Sequence, residues 1–175
     1  MKNVTLLLLL IVAFTGNSQT IEGTSNPVVV DVKAAPHAEA DAVTLASLGI
    51  TKVPRYYALI IGVSKYQFEG PKLQSLDMPS KDAEYLANLL TQKYFFEHQD
   101  VTLLKDPTRE EIINQLDHLS KSITSKDNLL IFYAGHGHNA KENDFGYWLP
   151  ADAKMSSRSA WIANSTIKDY VGAIK

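Results

Sequence analysis

The segment Asn128–Ala134 (NLLIFYA) is an apolar run of strand length that leads straight into Gly135-His136-Gly137-His138. A short, continuous apolar run suits a strand buried on both faces, as in a parallel sheet, rather than an alternating half-exposed strand. Tyr57–Val63 (YALIIGV) reads the same way, and Val101–Leu104 makes a shorter third run. Between them lie helical patterns. After a loop at Pro71–Pro79, Ser80 is expected to cap a helix to about Tyr94, with Ala83, Leu86, Ala87, Leu90 and Tyr94 on one stripe. Thr108 and Glu111 form a capping box, each side chain satisfying a free N–H of the first turn. Ile112, Leu116, Leu119 and Ile123 give that helix its apolar face. Phe145–Leu149 is a short extended piece, and Asn164 or Ser165 begins a final helix running to the chain end. Strand–helix–strand–helix–strand with short links predicts an α/β fold: a parallel sheet with helices on both faces.

Composition narrows the setting. The chain has 175 residues, 45% hydrophobic and 21% charged, which suits one packed domain. Its net charge is -2 with no basic run, so the sequence gives a nucleic-acid partner no electrostatic support. Residues 1–20 read as a secretory signal: Lys2, then apolar Val4–Phe14, then short residues at Gly16, Ser18 and Thr20. That run is too short for a membrane span, which needs about 20 apolar residues. Export is therefore expected, to the periplasm or beyond, with the charge moving from -2 to -3 as Lys2 leaves. The chain has no cysteine, which excludes disulfides and a lipid-anchored export signal. Residues 21–54 lack a sustained period and read as a linker or pro-segment, with Val28–Val32 a candidate edge strand.

In open parallel sheets, functional groups gather beyond the carboxyl ends of the strands. His136 sits there between two glycines, where an imidazole can act as acid or base near neutral pH. Flanking glycines allow a sharp turn and close substrate approach, and the Gly137 N–H could face a developing oxyanion. A structural histidine in a tight turn is the competing reading. His138 could chelate a metal with His136, and Asp144 could be a third ligand. Two histidines alone do not hold zinc, however, so no metal site is assigned and His138 is read as a solvated loop residue. No Gly-x-Ser-x-Gly elbow, Gly-x-Gly-x-x-Gly loop or Walker lysine loop occurs.

The ordered set YYALIIGVSKY, PSKDAEYLANLL, LLIFYAGHGH and GYWLPADA resembles the caspase-like cysteine peptidases (peptidase C14 type), nearest the paracaspases, metacaspases and their bacterial homologues. The resemblance covers about residues 55–175. It implies a caspase-like sheet, incomplete at its C-terminal side. It also implies that His136 is the histidine of a Cys–His dyad and that Gly137 lends its amide to the oxyanion hole. Asp82 matches an acidic residue lining the specificity pocket, which would select Arg or Lys before the scissile bond. An acid favourable to the helix dipole is the plain alternative for Asp82. No cofactor is implied; the expected partners are a protein or peptide substrate and the missing remainder of the same domain. The family's cysteine follows the histidine by roughly 50 residues, beyond Lys175, and without a thiolate no acyl-enzyme forms. A truncated endopeptidase domain is therefore expected. A non-catalytic binding or regulatory module is the alternative, and a metal-dependent hydrolase comes after it.

Overall fold

The three apolar runs become parallel strands in a computed structural model, which describes residues 6–10, 54–140 and 145–175. Strand β1 is Leu6–Leu10, β2 Tyr56–Gly62, β3 Val101–Lys105 and β4 Asn128–Ala134. The sheet order is β1-β4-β2-β3, with every neighbouring pair parallel. Helix α1 (Pro79–Lys93) links β2 to β3, and α2 (Arg109–Ser122) links β3 back to β4. The two crossovers run in opposite directions along the sheet. Right-handed connections therefore place the helices on opposite faces.

Period-two alternation sorts the strand side chains between those faces. Ala58, Ile60, Phe132 and Ala134 pack against Ala83, Ala87 and Leu90 of α1. Leu59, Ile61, Leu129, Ile131 and Tyr133 share the opposite core with Ile112, Leu116 and Leu119 of α2. The central strands β2 and β4 are thus buried on both sides, as their runs predict, while β3 at the sheet edge is only half-buried.

A second sheet follows β4. Strands β5 (Gly137–Ala140), β6 (Phe145–Trp148) and β7 (Ile162–Ala163) pair antiparallel in that order. Helix α3 (Asn164–Gly172) begins directly after β7 and ends before the last residues. Only β6 was legible in sequence. Gly-His-Asn-Ala in β5 has little intrinsic strand preference, and its order comes from pairing with β6. Trp148 of β6 and Ile162 of β7 join the core that Leu59, Ile61 and Tyr133 share with α2. The loop between β6 and β7 is also tied to the start of α2: Asp152 Oδ1 accepts the Arg109 N–H at 2.8 Å, and the Pro107 carbonyl accepts the Ala151 N–H at 2.8 Å.

Two local expectations need correction. Ser80 is not the cap of α1: Met78 occupies that position without a side-chain cap, and Pro79 opens the helix, where its missing N–H costs nothing. The Ser80 hydroxyl instead lies 3.2 Å from both the Gly62 carbonyl and Asp106 Oδ1. Tyr94 ends the helix exposed rather than on the buried stripe. The Thr108–Glu111 capping box forms in full, with the Thr108 N–H donating to the Glu111 carboxylate at 2.8 Å. Val28–Val32, the 21–54 segment apart from Pro54, Asp144 and the export signal apart from Leu6–Leu10 lie outside the described residues. No described helix is long and apolar enough to cross a membrane.

Candidate active site at the carboxyl ends of β2 and β4

Strands β2 and β4 end together, with Gly62 opposite Ala134 and the Val63 N–H donating to the Ala134 carbonyl at 2.8 Å. Gly135 comes next. A Cβ there would meet the Tyr133 hydroxyl at 2.8 Å and Val63 Cβ at 3.1 Å. The space that glycine leaves is filled by the protein's own phenol, rather than kept for a substrate as the sequence suggested.

His136 is held through its backbone N–H, its carbonyl and Nε2. Its N–H donates to the Tyr66 hydroxyl at 2.8 Å, and its carbonyl lies 2.9 Å from the Tyr133 hydroxyl. The Leu149 N–H donates to the same carbonyl at 3.1 Å. The imidazole lies 5.2 Å from the Tyr66 ring, and Nε2 is 2.8 Å from the Gln74 carbonyl oxygen. A carbonyl only accepts, so Nε2 carries the proton and Nδ1 is the basic nitrogen of the neutral ring. This is the orientation a general base needs, a ring whose tautomer is set by a fixed acceptor. His136 is 9% exposed, more enclosed than the open strand tip the sequence suggested, because the 64–76 loop carrying Tyr66 and Gln74 covers it.

Gly137 opens β5 opposite Trp148. The bond from the Leu149 N–H to the His136 carbonyl places a ladder position at residue 136. Antiparallel alternation then turns the Gly137 N–H away from β6. His138 is a paired strand residue with its ring 4.7 Å from that of Trp161, not a solvated loop residue. Among the described residues no group of three His, Cys, Asp or Glu gathers to hold a metal.

Asp82 lies in the first turn of α1 and lines a cavity of about 600 Å³. Asp77 is the second acid of that lining, and the walls include Met78, Leu86, Phe132 and Ala134. Gly135 also lines it, so the cavity reaches within one residue of His136. The outer edge of β4 takes β1 as a parallel partner, with Leu6–Leu10 opposite Leu129–Tyr133. That is the edge where the resemblance would place a cysteine-bearing strand.

Tyr66, Gln74, Asp77 and Asp106 were not singled out in the sequence. Gln74 acts through its carbonyl, which no residue type advertises, and Tyr66 reaches His136 across 70 positions. Asp77 lies within the expected Pro71–Pro79 loop with no motif of its own. Tyr66 and Tyr133 are both buried, and burial raises both phenols, that of Tyr66 to about 12. Both stay protonated as donors at neutral pH.

A parallel sheet with helices on both faces, and a glycine-flanked histidine held at its carboxyl edge beside an acid-lined cavity, defines a caspase-like domain. The caspase domain model matches residues 55–171, and the chain belongs to that family. It is similar to metacaspase-1 of Saccharomyces cerevisiae, 33% identical over 51% of this chain and 22% of that protein. It is also similar to metacaspase-1 of Pyricularia oryzae, 28% identical over 50% of this chain and 23% of that protein. The chain therefore spans less than a quarter of the length of these relatives. The crystal structure of a Geobacter sulfurreducens protein shares the fold with a TM-score of 0.53 at 21% identity, covering 69% of this chain and 46% of that one.

Proposed function

We propose that this chain is the histidine-bearing part of an exported cysteine endopeptidase that cleaves after Arg or Lys. The observation that carries this reading is the His136 ring, its Nε2 proton held by the Gln74 carbonyl so that Nδ1 remains to take a proton. In the proposed reaction a cysteine outside these 175 residues gives its thiol proton to Nδ1, and the thiolate attacks the peptide carbonyl. The Gly137 N–H supports the oxyanion, and His136 returns the proton to the leaving amine. Water then releases the acyl group. Asp82 and Asp77, with apolar walls between them, suit a side chain with an aliphatic stem and a cationic head. The leader-like run Val4–Phe14 behind Lys2 supports export, and removing it would take Leu6–Leu10 off β4 and free that edge for the cysteine-bearing strand.

The test uses the protein expressed from its complete reading frame and arginyl, lysyl and aspartyl aminocoumarin peptides. Turnover of the basic substrates, lost in His136→Ala, is the expected result; equal turnover in that variant would remove the reading. The 175-residue chain itself is expected to turn over none of them, since it has no cysteine.

The enclosure of His136 at 9% exposure favours a second reading, a binding or regulatory module that keeps the fold without the chemistry. It predicts that the protein from the complete reading frame binds basic peptides without cleaving them, whether or not His136 is present.

A further inference from the structure

We infer that Asp106 is a positioning residue that fixes both the base and the acid-lined cavity of this site. The inference rests on the proposed role of His136. Asp106 follows β3 directly and adopts a φ of 52°, and among the described residues it is the only non-glycine with positive φ. That region disfavours L side chains, and the following residue, Pro107, further restricts the backbone. Strain of this kind persists where surrounding contacts over-determine the conformation, and it concentrates at functional sites.

Those contacts all lie at the carboxyl end of the sheet. Asp106 Oδ1 accepts the Ser64 N–H at 2.6 Å and the Lys65 N–H at 2.9 Å. The same oxygen lies 3.2 Å from the Ser80 hydroxyl. The Asp106 N–H donates to the Gly62 carbonyl at 2.8 Å, and the Ser80 N–H donates to Ser64 Oγ at 3.0 Å. One carboxylate oxygen thus ties together the exit of β2, the start of the 64–76 loop and the first turn of α1.

Each tethered segment carries part of the site. Just beyond Ser64 and Lys65, Tyr66 accepts the His136 N–H. The Leu76 N–H donates back to the Ser64 carbonyl at 2.8 Å, which closes the loop and sets Gln74 against Nε2. Beyond Ser80, Asp82 faces the cavity. A carboxylate accepting several N–H and O–H donors is a strong, directional anchor. Its loss frees the loop and the helix end together, while the apolar core beneath stays packed.

The test compares Asp106→Gly with Asp106→Asn in the protein expressed from its complete reading frame. Glycine keeps the left-handed backbone without strain but has no carboxylate. Asparagine tolerates that backbone and keeps an acceptor oxygen. The readouts are the 15N shifts and the pH midpoint of the His136 ring, and the affinity for benzamidine as a guanidinium-like probe of the cavity. None of these requires turnover, so failure of the peptidase reading leaves this result standing, and the reverse also holds. Asp106→Gly is expected to move the His136 nitrogen shifts toward those of a free, tautomer-averaged imidazole and to weaken benzamidine at least tenfold. Asp106→Asn should restore most of both. A folded Asp106→Gly protein with wild-type ring shifts, midpoint and benzamidine affinity overturns the proposal, even if its melting temperature falls. If Asp106→Gly does not fold, Asp106→Asn decides. Its weaker neutral acceptor must shift the ring nitrogens and benzamidine affinity measurably in the same direction, and unchanged values overturn the proposal.

Discussion

The two faces of the parallel sheet are built from side chains of different size. Against α1, Ala58, Ala83, Ala87 and Ala134 stand among Ile60, Leu90 and Phe132, with Gly62 at the strand end, so close to half of this face is alanine or glycine. Against α2 and the second sheet they include Leu59, Ile61, Ile131, Tyr133, Trp148 and Trp161. The thin face lets the first turn of α1 approach the sheet closely, which brings Asp82 over the end of β4. The thick face backs the His136 strand, with Tyr133 stacked on Trp148 at 4.7 Å beneath it. Closeness on one side and bulk on the other therefore serve different parts of one site.

The largest effect should come from the thick face. Ile131 is 1% exposed within the large core, so Ile131→Ala is expected to cost roughly 2–5 kcal/mol in urea unfolding. Benzamidine affinity of the remaining folded protein should hardly change, because Ile131 points away from the cavity. A substantial loss of affinity would show that the two faces are not separable.

Gly62→Ala tests the thin face. A Cβ at Gly62 would lie 2.5 Å from the Pro79 carbonyl oxygen, 2.7 Å from Ser80 Cα and 2.8 Å from Ala83 Cβ. Two of these atoms are backbone, so the first turn of α1 must move. The expected cost is about 3 kcal/mol, and unlike Ile131→Ala it should come with loss of benzamidine binding. A stable variant that binds normally would break the claim that close approach sets the cavity.

How far the sequence reached follows the same division. The thick face was largely legible, since continuous strands and Ile112, Leu116 and Leu119 at helical spacing can only be buried. The thin face was half legible. Ala83, Ala87 and Leu90 formed a stripe, but the role of Ser80 was misplaced because its hydroxyl bonds across the fold rather than to its own helix. His136, Gly137 and Asp82 stood out by motif, and the structure brings them to one end of the sheet. Their supports did not stand out. A loop carbonyl at Gln74 and a strained aspartate at Asp106 act through backbone geometry, which residue identity does not encode.

The buried phenols give a smaller, pH-dependent effect on the support of His136. Burial raises the Tyr66 phenol from its ordinary 10.0 to about 12. The unfolded chain therefore releases this proton first, and the native state holds more protons between those values. Stability from this group is complete below pH 10 and declines as pH rises toward 12, by on the order of 2 kcal/mol. Melting temperatures measured from pH 9 to 12 should fall in the wild type. Tyr66→Phe should remove part of that slope, and Tyr133, also raised by burial, should supply the rest. An unchanged slope in Tyr66→Phe would place the alkaline sensitivity elsewhere.

The smallest predicted effect is a control lying outside the site, on the helix of the thick face. Thr108→Ala removes one side of the capping box at the start of α2, at an expected cost of about 1 kcal/mol. The partner carboxylate of Glu111 is held low by its hydrogen bonds to Thr108. Its contribution is therefore present above the ordinary Glu value and fades as pH falls through the lowered one. The Thr108→Ala penalty measured by urea unfolding should shrink between neutral and acid pH, while the His136 nitrogen shifts at neutral pH stay at wild-type values. If those shifts follow the cap, α2 steers the base as well, and the division of labour between the two faces fails at its least disruptive test.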